Sequence, residues 1–141
     1  TNPGEALRPL AMVASGGELS RVMLGLKTVL ADKDAVETLI FDEIDAGISG
    51  KTAWKVSEKL GMLSKKRQVI CITHLPQIAA MADTHFYIEK NVRKGMTRTT
   101  ISPLAEEERI SEIARMLGGD EISEAALENA RELIKMAKNP I

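Results

Sequence analysis

Apolar positions along the chain follow two rhythms. Leu19, Val22, Met23, Leu26 and Leu30 recur every three or four residues with Arg21 and Lys27 between them, which predicts an amphipathic helix over residues 18–31. The same spacing recurs in Ala53, Val56, Leu60 and Leu63 of residues 50–64, a helix for which Ser49 is the expected N-cap. It recurs again in Ile110, Ile113, Ala114 and Leu117 of residues 106–117, and in Leu127, Ala130, Ile134 and Ala137 of residues 123–138, with Gly118 and Gly119 separating the two. The other rhythm is the short unbroken run: Leu39, Ile40 and Phe41, then QVICIT at residues 68–73. Runs of this kind suit strands covered on both faces of a parallel sheet, and strand, helix, strand reads as a βαβ unit with a right-handed crossover.

The remaining stretches are shorter. Pro76 begins a short helix through Asp83, and His85–Glu89 pairs with Thr97–Ser102 across a turn at Gly95, a hairpin near a sheet edge. Lys90, Arg93, Lys94 and Arg98 of that hairpin read as a solvated, basic turn that discourages edge pairing. Lys65, Lys66 and Arg67 are expected to complement the negative end of the helix before them. Residues 1–14, with Pro3, Gly4 and Pro9, read as a loop. The fold class is α/β: a mostly parallel sheet with flanking helices, in a single domain over residues 1–141.

Composition narrows the picture. At 141 residues, one domain with a real core is expected, and with aromatic residues at 3% that core is aliphatic. A net charge of −1 argues against a surface that binds nucleic acid throughout, leaving room only for a local patch. The single cysteine, Cys71, sits inside an apolar run and reads as a buried small hydrophobe. No run approaches the length of a membrane span and no signal-peptide core is visible, so a cytoplasmic protein with no membrane partner is expected.

Two stretches carry candidate chemistry. Asp42 and Glu43 stand at the carboxyl end of the 39–41 run, where open α/β sheets bind ligands. Adjacent residues of a strand point to opposite sides, so Asp42 is assigned a metal and Glu43 a reacting water; the plain alternative is a polar turn closing a strand. Ser15, Gly16, Gly17 and Glu18 open the first helix with exposed backbone N–H groups at its positive end, a setting for an anion such as phosphate, or simply an N-cap. The GISGKT stretch at 47–52 is not a phosphate loop, because only Ile48 and Ser49 separate its first glycine from Gly50-Lys51, too little backbone to curl around a phosphate.

Taken in order, Ser15-Gly16-Gly17-Glu18, then Asp42-Glu43 after a strand, Asp45 in the next loop and His74 after the next strand resemble the signature motif, Walker B, D-loop and switch histidine of ABC-type ATPase heads. The wording DEIDAGISG, together with TNPGE, THLPQIA and EIARMLGG, is similar to the RecN family, SMC-like coiled-coil ATPases of DNA repair, over essentially the whole chain.

That resemblance implies the C-terminal lobe of an ABC/SMC-type P-loop ATPase head. It implies ATP and Mg2+ as cofactors, with Asp42 toward the metal, Glu43 and His74 as catalytic residues, and Ser15, Gly16, Gly17, Glu18 and Asp45 toward the nucleotide. It also implies an ATP-dependent homodimer of heads and an N-terminal Walker A half of the same protein, since no Walker A loop occurs in these residues. DNA would be met through the full-length protein, in the bacterial cytoplasm at the nucleoid. The alternatives are the head of another SMC-like chromosome or ABC-type ATPase, or a non-hydrolysing scaffold; the latter is expected to alter Glu43 or His74.

Overall fold

Helical spacing and apolar runs become helices and strands where the pattern places them, and the departures lie in what covers their faces. A computed structural model describes residues 9, 13–31, 33, 35–93, 96–119 and 122–138. The loop expected over residues 1–14 and the turn at Lys94-Gly95 fall largely outside these. In chain order come α1 (Gly16–Val29), β1 (Thr38–Phe41), α2 (Gly50–Ser64), β2 (Gln68–Cys71), α3 (Pro76–Met81), β3 (Phe86–Arg93), β4 (Met96–Pro103), α4 (Glu106–Gly118) and α5 (Glu124–Lys138). They divide into two compact units, Thr1–Thr73 and His74–Ile141, each described by itself.

In the first unit β1 and β2 pair in parallel, in register from Thr38↔Gln68 to Phe41↔Cys71, with α2 as the crossover. The α2 stripe is buried as the spacing predicts: Ala53, Val56, Leu60 and Leu63, joined by Ser57, whose hydroxyl donates to the Trp54 carbonyl at 2.8 Å. Its N-cap differs from expectation. Ser49 holds the capping position, yet its side chain makes no capping bond, and the Ser49 carbonyl accepts from Thr52 and Ala53 as the helix begins. Arg67 also departs from the end-of-helix role. Its guanidinium donates to the carbonyls of Ala31 and Val36, pinning the α1–β1 connection to the end of α2.

Two faces expected to be buried are open. In β1, Leu39 and Phe41 are buried while Ile40 is 68% exposed, and Ile70 on the neighbouring strand and Ile72 just past its end are exposed with it. The sheet is therefore covered on one face only, because an unbroken apolar run signals that both faces are apolar and says nothing of what lies against them. In α1, the predicted stripe residues Val22, Met23, Leu26 and Leu30 are exposed, and Leu24 is the buried apolar side chain. The face turned inward is Gly17, Ser20, Arg21 and Leu24, a mix of small, polar and apolar residues whose spacing is equally helical.

In the second unit α3 starts at Pro76, whose missing N–H is harmless in a first turn. The β3–β4 hairpin is antiparallel, in register from Phe86↔Pro103 to Arg93↔Met96, and forms a two-stranded sheet of its own. Lys90 and Arg98 on it are exposed, as a solvated basic hairpin requires. The core is aliphatic: Ile78, Ala79 and Ala80 of α3, Ile110, Ile113 and Ala114 of α4, and Ala130 and Ala137 of α5. α4 ends where Gly119 takes φ 85°, a conformation that costs glycine little.

Candidate functional site

The first turn of α1 is closed by its own side chains. Glu18 N–H donates to Ser15 Oγ at 3.3 Å, and the Glu18 carboxylate accepts from the Ser15 backbone N–H and from its hydroxyl, both at 2.8 Å. This is a capping box, and it satisfies donors that the helix start would otherwise leave unpaired. The bonds from Ser15 hold the Glu18 carboxyl below the usual carboxylate range. The plain N-cap reading of Ser15 is thus realised, with Ser15, Gly16 and Glu18 all exposed and only Gly17 buried.

At the end of β1, Asp42 and Glu43 are both exposed. Asp42 Oδ1 accepts the Glu43 N–H at 2.9 Å, a bond that fixes the carboxylate against the backbone. Glu43 has φ 56°, the left-handed region that costs a residue with a Cβ roughly 1–2 kcal/mol. Directly after it the chain turns, with Ala46 N–H donating to the Glu43 carbonyl at 3.0 Å, and Ile44 and Asp45 go inward.

The two stretches, 22 or more residues apart in sequence, are held against each other. Ser20 Oγ donates to the Asp42 carbonyl at 2.9 Å. Arg21 Nη1 donates to the carbonyls of Ile44 at 3.1 Å and Ala46 at 2.8 Å. The glycines permit this approach: a Cβ on Gly17 would stand 2.8 Å from the Glu43 carbonyl oxygen and 2.9 Å from Ala46 Cβ, and one on Gly16 would stand 2.4 Å from Glu43 Oε2. The carboxylate at the strand end and the opening turn of the helix therefore lie side by side in this unit.

Over 137 residues, 97% of its length, the chain is 51% identical to DNA repair protein RecN of Halalkalibacterium halodurans and 50% identical to that of Bacillus subtilis. It is 56% identical over 134 residues to RecN of Deinococcus radiodurans. The chain belongs to the RecN family. It spans about a quarter of the length of these curated relatives, 24%, 24% and 23% respectively, and corresponds to a C-terminal region of them. No protein-family model matches it. Its fold is that of a solved chain described under "Structural biochemistry of ATP-driven dimerization and DNA stimulated activation of SMC ATPases", with a TM-score of 0.53 at 20% identity, covering 81% of this chain and 68% of that one.

Within this RecN-family segment the structure brings Ser15, Gly16, Gly17, Glu18, Asp42 and Glu43 together in one unit, and His74 is the exposed first residue of the other. Asp45, expected toward a nucleotide, has its side chain in the interior of the unit. It is 3% exposed and accepts from Thr73 Oγ1 at 2.6 Å, so its side chain ties the loop after β1 to the segment after β2. Cys71, expected to be buried, is half-buried; that burial first, then the Asp45 and Asp42 carboxylates, push its thiol up to about 12.

The donor set bears on a metal. Among the described residues no group of three or more His, Cys, Asp or Glu side chains is placed to hold one. Magnesium keeps waters and takes one or two carboxylates beside phosphate oxygens, so it does not require such a group. Asp42 is exposed, and its carboxylate is oriented by the Glu43 N–H. Sequence reading missed Ser20 and Arg21, which join the two stretches. The available signal was weak: two polar residues on the same helical face as Gly17 and Leu24.

Proposed function

We propose that the chain is the C-terminal part of an ABC/SMC-type ATPase head from a RecN-like protein of DNA double-strand break repair, working with a second head. The observation that carries the reading is Glu43, an exposed carboxylate held in a strained backbone conformation at a strand end. Strain of that order persists where the surroundings enforce it, and functional sites are where it collects.

When bound, ATP supplies the transferred phosphoryl group, and Mg2+ the neutralisation of its charge. Asp42 would face the metal through its water shell. Glu43 accepts a proton from a water held at its carboxylate, acting as general base. Ser15 and the N–H groups of Gly16 and Gly17 meet the phosphate carried by the opposite head, and His74 meets the one on its own. Asp45 serves from beneath, by setting the loop. Phosphoryl transfer depends on positioning and electrostatics, so dividing these groups between two heads makes turnover depend on head pairing. Walker A comes from an N-terminal half of the same protein, and DNA is bound by the whole. The setting proposed is the bacterial cytoplasm, at the nucleoid; among the described residues no helix is long and apolar enough to cross a membrane.

The test uses the whole protein in mixed dimers of a Ser15→Arg head and a Glu43→Gln head, each inactive alone. The two lesions fall on one shared site and leave the other whole, so hydrolysis returns on mixing. If mixed dimers form and stay inactive, the shared-site reading fails; if Ser15→Arg abolishes nucleotide binding by its own head, the assignment across the dimer fails.

A further inference from the structure

In the second unit a cleft of about 710 Å3 opens between α4, α5 and the segments flanking the β3–β4 hairpin. Its charge is uneven. Arg131, Lys135 and Lys138 line it from α5 at spacings of four and three residues, so they share one helix face, and Arg109 lines it from α4. Asp83 and Glu106 are the carboxylates present. Four cations against two carboxylates leave two positive charges over.

Arg109 is the unusual member. It is only 9% exposed, its Nη2 donates to the Ala80 carbonyl at 2.7 Å, and its buried Nε has no hydrogen-bond partner. His85, also on the cleft wall, has a buried Nδ1 in the same condition. A buried polar nitrogen without a partner is destabilising, and Arg109 Nε can only donate; two such nitrogens at one cleft need an explanation. An acceptor-rich anion entering it supplies one. Arg131 holds Glu128 at 3.3 Å, an exposed pair that competes little with such a ligand.

We propose that this cleft binds a terminal phosphate group, a phosphate monoester borne by a nucleic-acid end or by a free nucleotide. A monoester is close to a dianion near neutral pH and draws more on the excess of cations in the lining than an internal phosphodiester, which carries one charge. The most buried cation lies in the cleft wall rather than along an open groove, so a chain end reaches it more readily than the middle of a strand. Leu104 and Ile134 add apolar wall against which a sugar or base can rest. This site stands apart from the strand-end carboxylates and does not depend on the ATPase reading.

The test titrates the chain with pyrophosphate, and with one oligonucleotide carrying either a 5′-phosphate or a 5′-hydroxyl, followed by calorimetry and by amide NMR. Saturable binding is expected, with shifts at residues of α4 and α5, weakened at least tenfold by Arg131→Gln with Lys138→Gln, two exposed positions whose replacement spares the core. Lys55→Gln with Lys59→Gln, an equal loss of charge on α2, should leave it unchanged. A 5′-phosphate preferred over pyrophosphate marks nucleic acid as the source; the reverse marks a free nucleotide. Absence of saturable binding, equal weakening by the two double variants, or equal affinity for the phosphate and hydroxyl ends overturns the proposal.

Discussion

Arg21 Nη1 donates to the Ala46 carbonyl across 2.8 Å, and the same nitrogen reaches the Ile44 carbonyl at 3.1 Å. The helix opening and the strand-end loop thus move as one piece, because a single guanidinium serves carbonyls that the sharp turn after Glu43 leaves without a ladder partner. Arg21→Ala should destabilise the first unit by about 1–3 kcal/mol, the range for bonds made by a charged donor. The midpoint of urea unfolding measures it, and an unchanged midpoint would show that water replaces the guanidinium at no cost.

The two glycines of the turn should respond differently to the same added methyl. On Gly17 it meets backbone and Ala46, atoms that cannot swing away, so Gly17→Ala is expected to cost about 1–3 kcal/mol. On Gly16 it meets only the far end of the Glu43 side chain, so Gly16→Ala should change stability by less than about 0.5 kcal/mol while displacing the carboxylate. Unfolding curves compared with hydrolysis by the whole protein separate the two effects.

Glu43→Gln should leave nucleotide binding by the whole protein intact and lower turnover roughly 10²- to 10⁴-fold, the usual worth of a general base. Turnover at the wild-type rate would reduce Glu43 to a strand-end acid. The chain alone, lacking a Walker A loop, is expected to show neither tight Mg-ATP binding nor hydrolysis by calorimetry and phosphate release.

His85 gives the second unit a pH dependence. Its pKa is lowered from 6.5, first by burial and then by the Arg109 charge, with Glu112 opposing. The unfolded chain therefore takes up a proton that the folded one resists. Stability from this group is complete above about pH 6.5 and is lost as pH falls through the depressed folded value. Urea unfolding at pH 7.5 and pH 5.5 should differ in that direction, and His85→Gln should shrink the difference.

Most element boundaries were legible because local spacing and turn chemistry decide them; α2, with its stripe at Ala53, Val56, Leu60 and Leu63, is the clear case. Partners of faces were not legible. The α1 spacing fits the exposed Val22, Met23 and Leu26 as well as the inward Gly17, Ser20, Arg21 and Leu24, and the inward set wins through hydrogen bonds to carbonyls of a loop distant in sequence. Ile40 was misplaced for the same reason. Asp42 and Glu43 were readable from their position after an apolar run, whereas the inward turn of Asp45 follows from the φ of Glu43, which no residue pattern announces. Arg109 lay hidden among Ile110, Ile113 and Ala114, a cation within a buried arc.

The capping box has a consequence for selectivity. Because the Ser15 hydroxyl already donates to the Glu18 carboxylate, an incoming acceptor gains nothing by merely being present; it has to outcompete a full negative charge 2.8 Å away. On the proposed function, only a ligand with more charge than a single carboxylate would displace it. On that same reading this turn would then act as a threshold, giving up Glu18 only to a ligand dense enough in charge to take its place.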